Sequence, residues 1–168
     1  MQDISPTEKK YRVTSFENIK KLLKEVDAQQ IRKIVSTHYY GRGTGNDVEK
    51  FVVYPDHAEI HVLKESDGKF TLTENERILD KAAGFGWLRK EGYATADVVN
   101  MECTEYAYKD GTIGLYILNS SVYSIILYYS GDKHELIEKE LDLDTAEEIG
   151  IPYNKYLQNI GQLQSIEL

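Results

Sequence analysis

In the stretch "SPTEKKYRV", residues 5–13, Glu8 and Lys10 stand two positions apart, and apolar residues arrive only at its end. Side chains two apart on a strand share a face, so a carboxylate and an ammonium would project together. Two readings follow: a polar site inside a barrel, or a solvent-exposed edge, where charged side chains are ordinarily found. A second acidic pair, Glu138 and Glu140 in "IEKEL", has the same spacing. Read as a strand, it too would turn both carboxylates to one side.

Other candidates for chemistry are weaker. "GRGTGND" (41–47) spaces its glycines so that a backbone could approach phosphate, but it lacks the Lys-Ser/Thr of a P-loop and precedes a strand, so it reads as a hairpin loop. His38, His57, His61 and His134 have no metal-ligand spacing and read as surface or half-buried histidines. Cys103 lies in an apolar-leaning strand without a basic neighbour, which reads as a buried, inert thiol. No Gly-x-Ser-x-Gly nucleophile motif is present.

The elements that would position these residues follow a repeated order of strand, helix and several strands. After "EKKYRV", "TSFENIKKLLKEVD" begins with a capping box, Thr14 and Glu17, and places Phe16, Ile19, Leu22, Leu23 and Val26 on one stripe, which predicts a helix over 15–26. "IRKIVSTHYY", "VEKFVVY" and "AEIHVLKE" read as strands, and "SDGK" turns the chain into "FTLT". A second capping box, Thr73 and Glu76, predicts a helix over 74–91 whose middle is weakened by Gly84 and Gly86. "ADVVNMECTEYAYKDGTIGLYIL" reads as a hairpin around "KDGT". "NSSVYSIILYYSGDKHELIEKEL" reads as another around "SGDK", with "VYSIILYY" a core strand. The tail predicts a short helix after Pro152. About eight strands and three helices imply an α+β fold: a mostly antiparallel eight-stranded sheet, curled or closed into a tunnel-like barrel, with helices packed outside.

The length of 168 residues suits one domain spanning 1–168. With 28 acidic against 20 basic residues, the net charge of -8 disfavours general nucleic-acid binding. The single cysteine rules out an internal disulfide. There is no basic-then-apolar leader, and no apolar run nears the ~20 residues that span a bilayer, so a cytoplasmic protein without membrane association is expected. Tyrosine, at 13 residues against 4 Phe, is over-used; its strand propensity and polar tip point to a sheet with a wet face.

The order of elements, the opening Glu8-x-Lys10 strand, the Glu138-x-Glu140 pair and "PYNKYL" at the tail resemble the CYTH family, the triphosphate tunnel proteins that include class IV adenylate cyclases and thiamine triphosphatases. That family is characterised by Glu-x-Glu-x-Lys in its first strand, and here Pro6 stands where the first glutamate would be. Met101 and Cys103 fall at or near positions that are basic in the family, and Glu59 and His61 replace an Arg-x-Arg pair.

The resemblance implies a tunnel that binds a nucleotide or inorganic triphosphate, with Lys10, Arg42 and Lys64 contacting phosphate. It also implies that Glu8, Glu138 and Glu140 hold Mg²⁺ or Mn²⁺ for hydrolysis or cyclisation. The missing basic residues imply weakened activity. The alternative is a non-catalytic barrel that has lost the basic lining and uses its acidic, tyrosine-rich surface for a protein partner. Inward-facing Lys and Arg would favour the first reading, and a lumen filled by Tyr, Ile and Leu the second.

Overall fold

The computed structural model describes residues 6–168. Strand β1 (Thr7–Val13) leads into helix α1 (Glu17–Glu25), then into β2 (Gln29–Gly41), β3 (Val48–Val53), β4 (Ala58–Ser66) and β5 (Lys69–Ile78). Helix α2 (Lys81–Lys90) is followed by β6 (Thr95–Tyr108), β7 (Gly111–Leu118), β8 (Val122–Tyr129) and helix α3 (Lys133–Glu140). The two-residue β9 (Glu147–Glu148), helix α4 (Tyr153–Asn159) and β10 (Gln164–Glu167) complete the chain.

The antiparallel strands run β6-β2-β3-β4-β5-β1-β8-β7, and β7 pairs back to β6, so eight strands close into a barrel as the sequence led us to expect. The long β6 makes closure possible by pairing with β2 along Ala96–Ala107 and with β7 along Met101–Tyr108. The turns either side of β7 place Lys109, Asp110, Asn119 and Ser120 at positive φ, a backbone twist that matches the twist of the flanking strands. β9 extends the edge of β1, and β10 that of β6.

Alternation along the strands sorts the side chains into two layers. Outward residues of β1, β7 and β8 (Tyr11, Ile113, Leu115, Ile125, Leu127) pack beneath Phe16, Ile19 and Leu23 of the α1 region and Ile137 of α3. Phe51 and Ile60, facing out of β3 and β4, pack with Leu88 of α2. Burying each such side chain contributes roughly 1.5–3 kcal/mol.

Three local expectations are corrected. Helix α1 starts after Phe16, with no side-chain cap, so the Thr14–Glu17 box does not form. Its first turn is instead fixed by Phe16 packing edge-on against Tyr123, with ring centroids 5.0 Å apart.

The helix expected from residue 74 begins only at Lys81, because β5 runs on to Ile78 in register with β4, Ala58 opposite Ile78 and Val62 opposite Glu74. Asp80 is the real cap, accepting from the Ala83 amide at 2.9 Å. Gly84, which looked like a weakness, is where α2 rests on the barrel: a Cβ there would meet the Phe51 ring at 2.4 Å.

"SGDK" does not turn a hairpin. It leads into α3, where His134 and Ile137 recur at a helical interval on the buried side. Glu138 and Glu140 therefore lie outside the barrel, on a helix, where residues two apart do not face each other.

Helix α4, which follows Pro152 as expected, closes one end of the barrel with Tyr153, Asn154, Tyr156 and Leu157. It is tied down through the buried Asp97 of β6. That carboxylate accepts from Arg42 Nε at 2.9 Å and Asn154 Nδ2 at 2.9 Å, while Arg42 Nη2 also reaches Ser165 Oγ of β10 at 2.8 Å. Asp97→Ala leaves a guanidinium and an amide without their acceptor, and we predict a loss of about 3–5 kcal/mol in urea unfolding, against a markedly smaller loss for Asp97→Asn.

Candidate functional site

The barrel interior is set by strand parity. β1 turns Glu8 and Lys10 inward and Lys9 and Tyr11 outward; β2 turns Ile34, Ser36, His38 and Tyr40 inward. Lys50 of β3 lies opposite both Tyr40 of β2 and His61 of β4, so the three form a row across neighbouring strands. With Tyr116 of β7 and Tyr153 of α4 they enclose a cavity of about 130 Å³. Gly114 leaves room for Tyr116, since a Cβ there would come within 2.4 Å of its ring.

Pro152 and Tyr153 close one end of the cavity, Tyr153 sharing a 2.7 Å hydrogen bond with Ser124. Toward the other end, two adjoining clefts share Glu8 and Tyr116, and Tyr54 and His61, with the cavity, and both include Arg32. Arg32 is paired with Glu105 at 3.0 Å.

Each polar group inside is held differently. Lys10 Nζ donates to the Ile151 carbonyl at 2.7 Å and lies 4.0 Å from the Phe70 ring centroid and 4.5 Å from that of Tyr153. Lys50 Nζ has a long contact, 3.4 Å, to the Tyr40 hydroxyl. His38 shares a 2.9 Å hydrogen bond with Ser36 through Nε2, and its buried Nδ1 has no partner. His61 Nε2 lies 3.5 Å from Glu59 without a well-directed hydrogen bond.

Burial governs their charges. It pushes Lys10 down to about 7, despite Glu8, and Lys50 down to about 8. It raises the Glu8 carboxyl above its ordinary range, opposed by Lys50 and Lys10. His38 is held well below its usual value and His61 falls to about 4, in each case chiefly by burial and next by Lys50, so both imidazoles are neutral near pH 7.

Of the residues assigned to phosphate or metal from the sequence, the tunnel gathers Glu8 and Lys10 and leaves out Arg42, Lys64, Glu138 and Glu140. Glu138 accepts from Lys9 and Tyr11 on the outer wall, clamping α3 to β1. Glu140 accepts from Tyr108 at 2.6 Å and pairs with Lys109. Arg42 is committed to Asp97, and Lys64 is exposed beside Asp47 at 3.5 Å. Shared parity thus put Glu8 and Lys10 together but not near the second acidic pair, because that pair is helical.

The residues present do not fit Mg²⁺ or Mn²⁺. Hard cations take several oxygen ligands, Glu8 is the one carboxylate lining the cavity, and no group of three metal-capable side chains occurs among the described residues. No arginine lines the cavity itself. Cys103 does, with its thiol pushed up to about 11 by burial, in keeping with an inert thiol.

Reading the sequence missed Lys50, His38 and His61. The alternation of Ser36, His38 and Tyr40 was a usable signal for one of them. Lys50 gave none, because both faces of β3 are largely buried and its parity is hidden among apolar residues.

The two lysines give stability a definite pH dependence. Their folded pKa values lie below the unfolded value, so the unfolded chain binds more protons between about pH 7 and 10.5, and stability rises with pH across that window. From pH 7 to 9.5 the Lys50 share is about 2 kcal/mol. We predict that Lys50→Met removes that share of the rise in urea unfolding and is the more stable protein at pH 7.

No protein-family model and no curated protein sequence matches the chain. Solved structures do. A conserved hypothetical protein from Pyrococcus furiosus superposes with a TM-score of 0.73 at 13% identity, over 89% of this chain and 98% of that one. A candidate adenylate cyclase from Bacillus halodurans gives 0.60 at 13% identity, over 95% and 98%. A candidate adenylyl cyclase from Hippeastrum, described as having a dominant triphosphatase activity, gives 0.58 at 12% identity, over 95% and 98%. At such identities the likeness is one of fold, and the fold of this chain is that of the CYTH, or triphosphate tunnel, proteins.

Proposed function

We propose that the tunnel binds the terminal phosphate of a nucleotide or inorganic polyphosphate without a resident metal, and that turnover is slow or absent. One observation carries this reading: a cavity lined by two lysines also has His38 in its wall, and the buried Nδ1 of that imidazole has no hydrogen-bond partner among the described residues. Buried polar atoms are nearly always partnered; with the His38 tautomer that carries its proton on Nδ1, a phosphate oxygen beside Lys50 would supply the acceptor while restoring charge to the amine. The triphosphatase activity described for the Hippeastrum protein makes tripolyphosphate the first ligand to test.

Slow turnover follows from the lining. Phosphoryl transfer relies on cations placed where charge develops. Here two partly neutral lysines and one carboxyl stand alone, with neither arginines nor a carboxylate cluster in the cavity.

A second reading, a barrel serving as an interaction module, draws on the exposed Ile31 and Val35 of β2 and on the tyrosines that line part of the lumen. Among the described residues no helix is long and apolar enough to cross a membrane.

Thermal-shift titration at low salt separates the two. Tripolyphosphate without added metal raises the melting temperature at pH 6.5 through ligand linkage. The rise shrinks at pH 9, because both lysines lose their protons across that interval. Lys50→Met abolishes it. A wild-type protein indifferent to millimolar ligand would leave the interaction module as the better reading.

A further inference from the structure

The two tunnel lysines differ in how they are covered. Lys10 is engaged by a main-chain carbonyl and sandwiched near two rings, so its nitrogen is already in use. Lys50 is just as buried but has neither a carboxylate nor a carbonyl partner among the described residues; the Tyr40 hydroxyl at 3.4 Å is its single hydrogen-bond neighbour. The groups around it are Glu8 and Lys10 from β1, His38 and Tyr40 from β2, and His61 from β4. An amine that is desolvated and without a strong acceptor gives up its proton more readily than an exposed lysine, and its lone pair is then a nucleophile.

We propose that Lys50 is an amine nucleophile that condenses reversibly with the aldehyde of a small, phosphate-bearing ligand admitted to the tunnel. The proposal rests on the phosphate-binding reading above and adds the ligand's reactive group. The Lys50 nitrogen attacks the carbonyl carbon, a C–N bond forms, and the carbonyl oxygen takes up a proton to give a carbinolamine. The nitrogen gives up its protons, the hydroxyl leaves as water, and an imine remains. Overall, amine and aldehyde yield imine and water with no change of oxidation state.

Glu8 lines the same cavity as Lys50 and burial favours its neutral form, so it is the carboxyl available there for the proton transfers. The sealed end and the low-polarity walls limit hydrolysis of the imine by bulk water.

The test uses the full chain with glyceraldehyde 3-phosphate and sodium cyanoborohydride at pH 8, followed by peptide mass mapping. Glyceraldehyde lacks the phosphate and glycerol 3-phosphate lacks the aldehyde, so the two serve as controls. The expected result is one reduced adduct, on Lys50, formed about tenfold faster than on any exposed lysine because more of its amine is neutral at that pH. The adduct should be suppressed by tripolyphosphate and absent from Lys50→Arg and Lys50→Met.

Adducts spread over exposed lysines at similar rates would overturn the proposal. So would an unlabelled Lys50 in a protein that tripolyphosphate still stabilises, an outcome that leaves the phosphate-binding reading standing. Equal labelling of Lys50 by glyceraldehyde and its phosphate, with no thermal shift from tripolyphosphate, would remove that reading and with it the ligand class proposed here.

Discussion

Charge taken out of water inside a closed barrel is the constraint on which the rest of this structure depends. Eight strands alternate their side chains between an inner and an outer layer, and the inner layer includes Glu8, Lys10 and Lys50. Removing an ammonium or carboxylate from water costs several kcal/mol, so each must be offset or neutralised. Lys10 is offset by a carbonyl and two aromatic rings; Lys50 and Glu8 are offset mainly by each other's field. The offset is incomplete, and both amines titrate close to neutrality as a result. A cavity in that condition is poised to accept an anion, because a bound negative charge restores what burial removed.

Such a cavity persists only if the wall around it cannot relax to let water in or the lysines out. The outer layer provides the stiffness through α1 and α3 on one side and α2 on the other. The acids that look available for the site are used to fasten that layer. Glu138 joins α3 to Lys9 and Tyr11 of β1, and Glu140 joins it to the β6–β7 turn. Asp97, with Arg42 and Asn154, locks the closing helix α4 over one end. The acidic excess of the sequence therefore lies largely outside the lumen.

This division separates fold from function in a concrete way. The triphosphate tunnel fold supplies a lumen, but the chemistry depends on what lines it. In this chain tyrosines and aliphatic residues take up much of the inner surface, and the cations that remain are partly neutral lysines and neutral imidazoles. Hydrogen-bond donors to an oxyanion survive better than the positive field that phosphoryl transfer draws on. Anion binding and, at Lys50, amine chemistry are what we propose this lining retains.

By itself the sequence determined most of the strands and their antiparallel character, because period-two alternation and the "KDGT" turn are local signals that burial reinforces. It also determined that Glu8 and Lys10 act as a pair, since strand parity is a property of the backbone alone. What only the tertiary structure decided were the elements whose local signals compete. "TENER" carries a capping box yet extends β5, because pairing with β4 outweighs helix propensity there. "KHELIEKE" alternates enough to pass for a strand yet is a helix, held by Ile137 beneath it. The partners of Glu8 and Lys10 were likewise beyond local reach. Lys50 and His61 meet through register, fixed by hydrogen bonds between strands, and Arg42 is drawn away from the cavity by the Asp97 and Asn154 contacts that hold α4. Register and closure are long-range properties, so a site assembled from several strands becomes legible only when the strands are seen side by side.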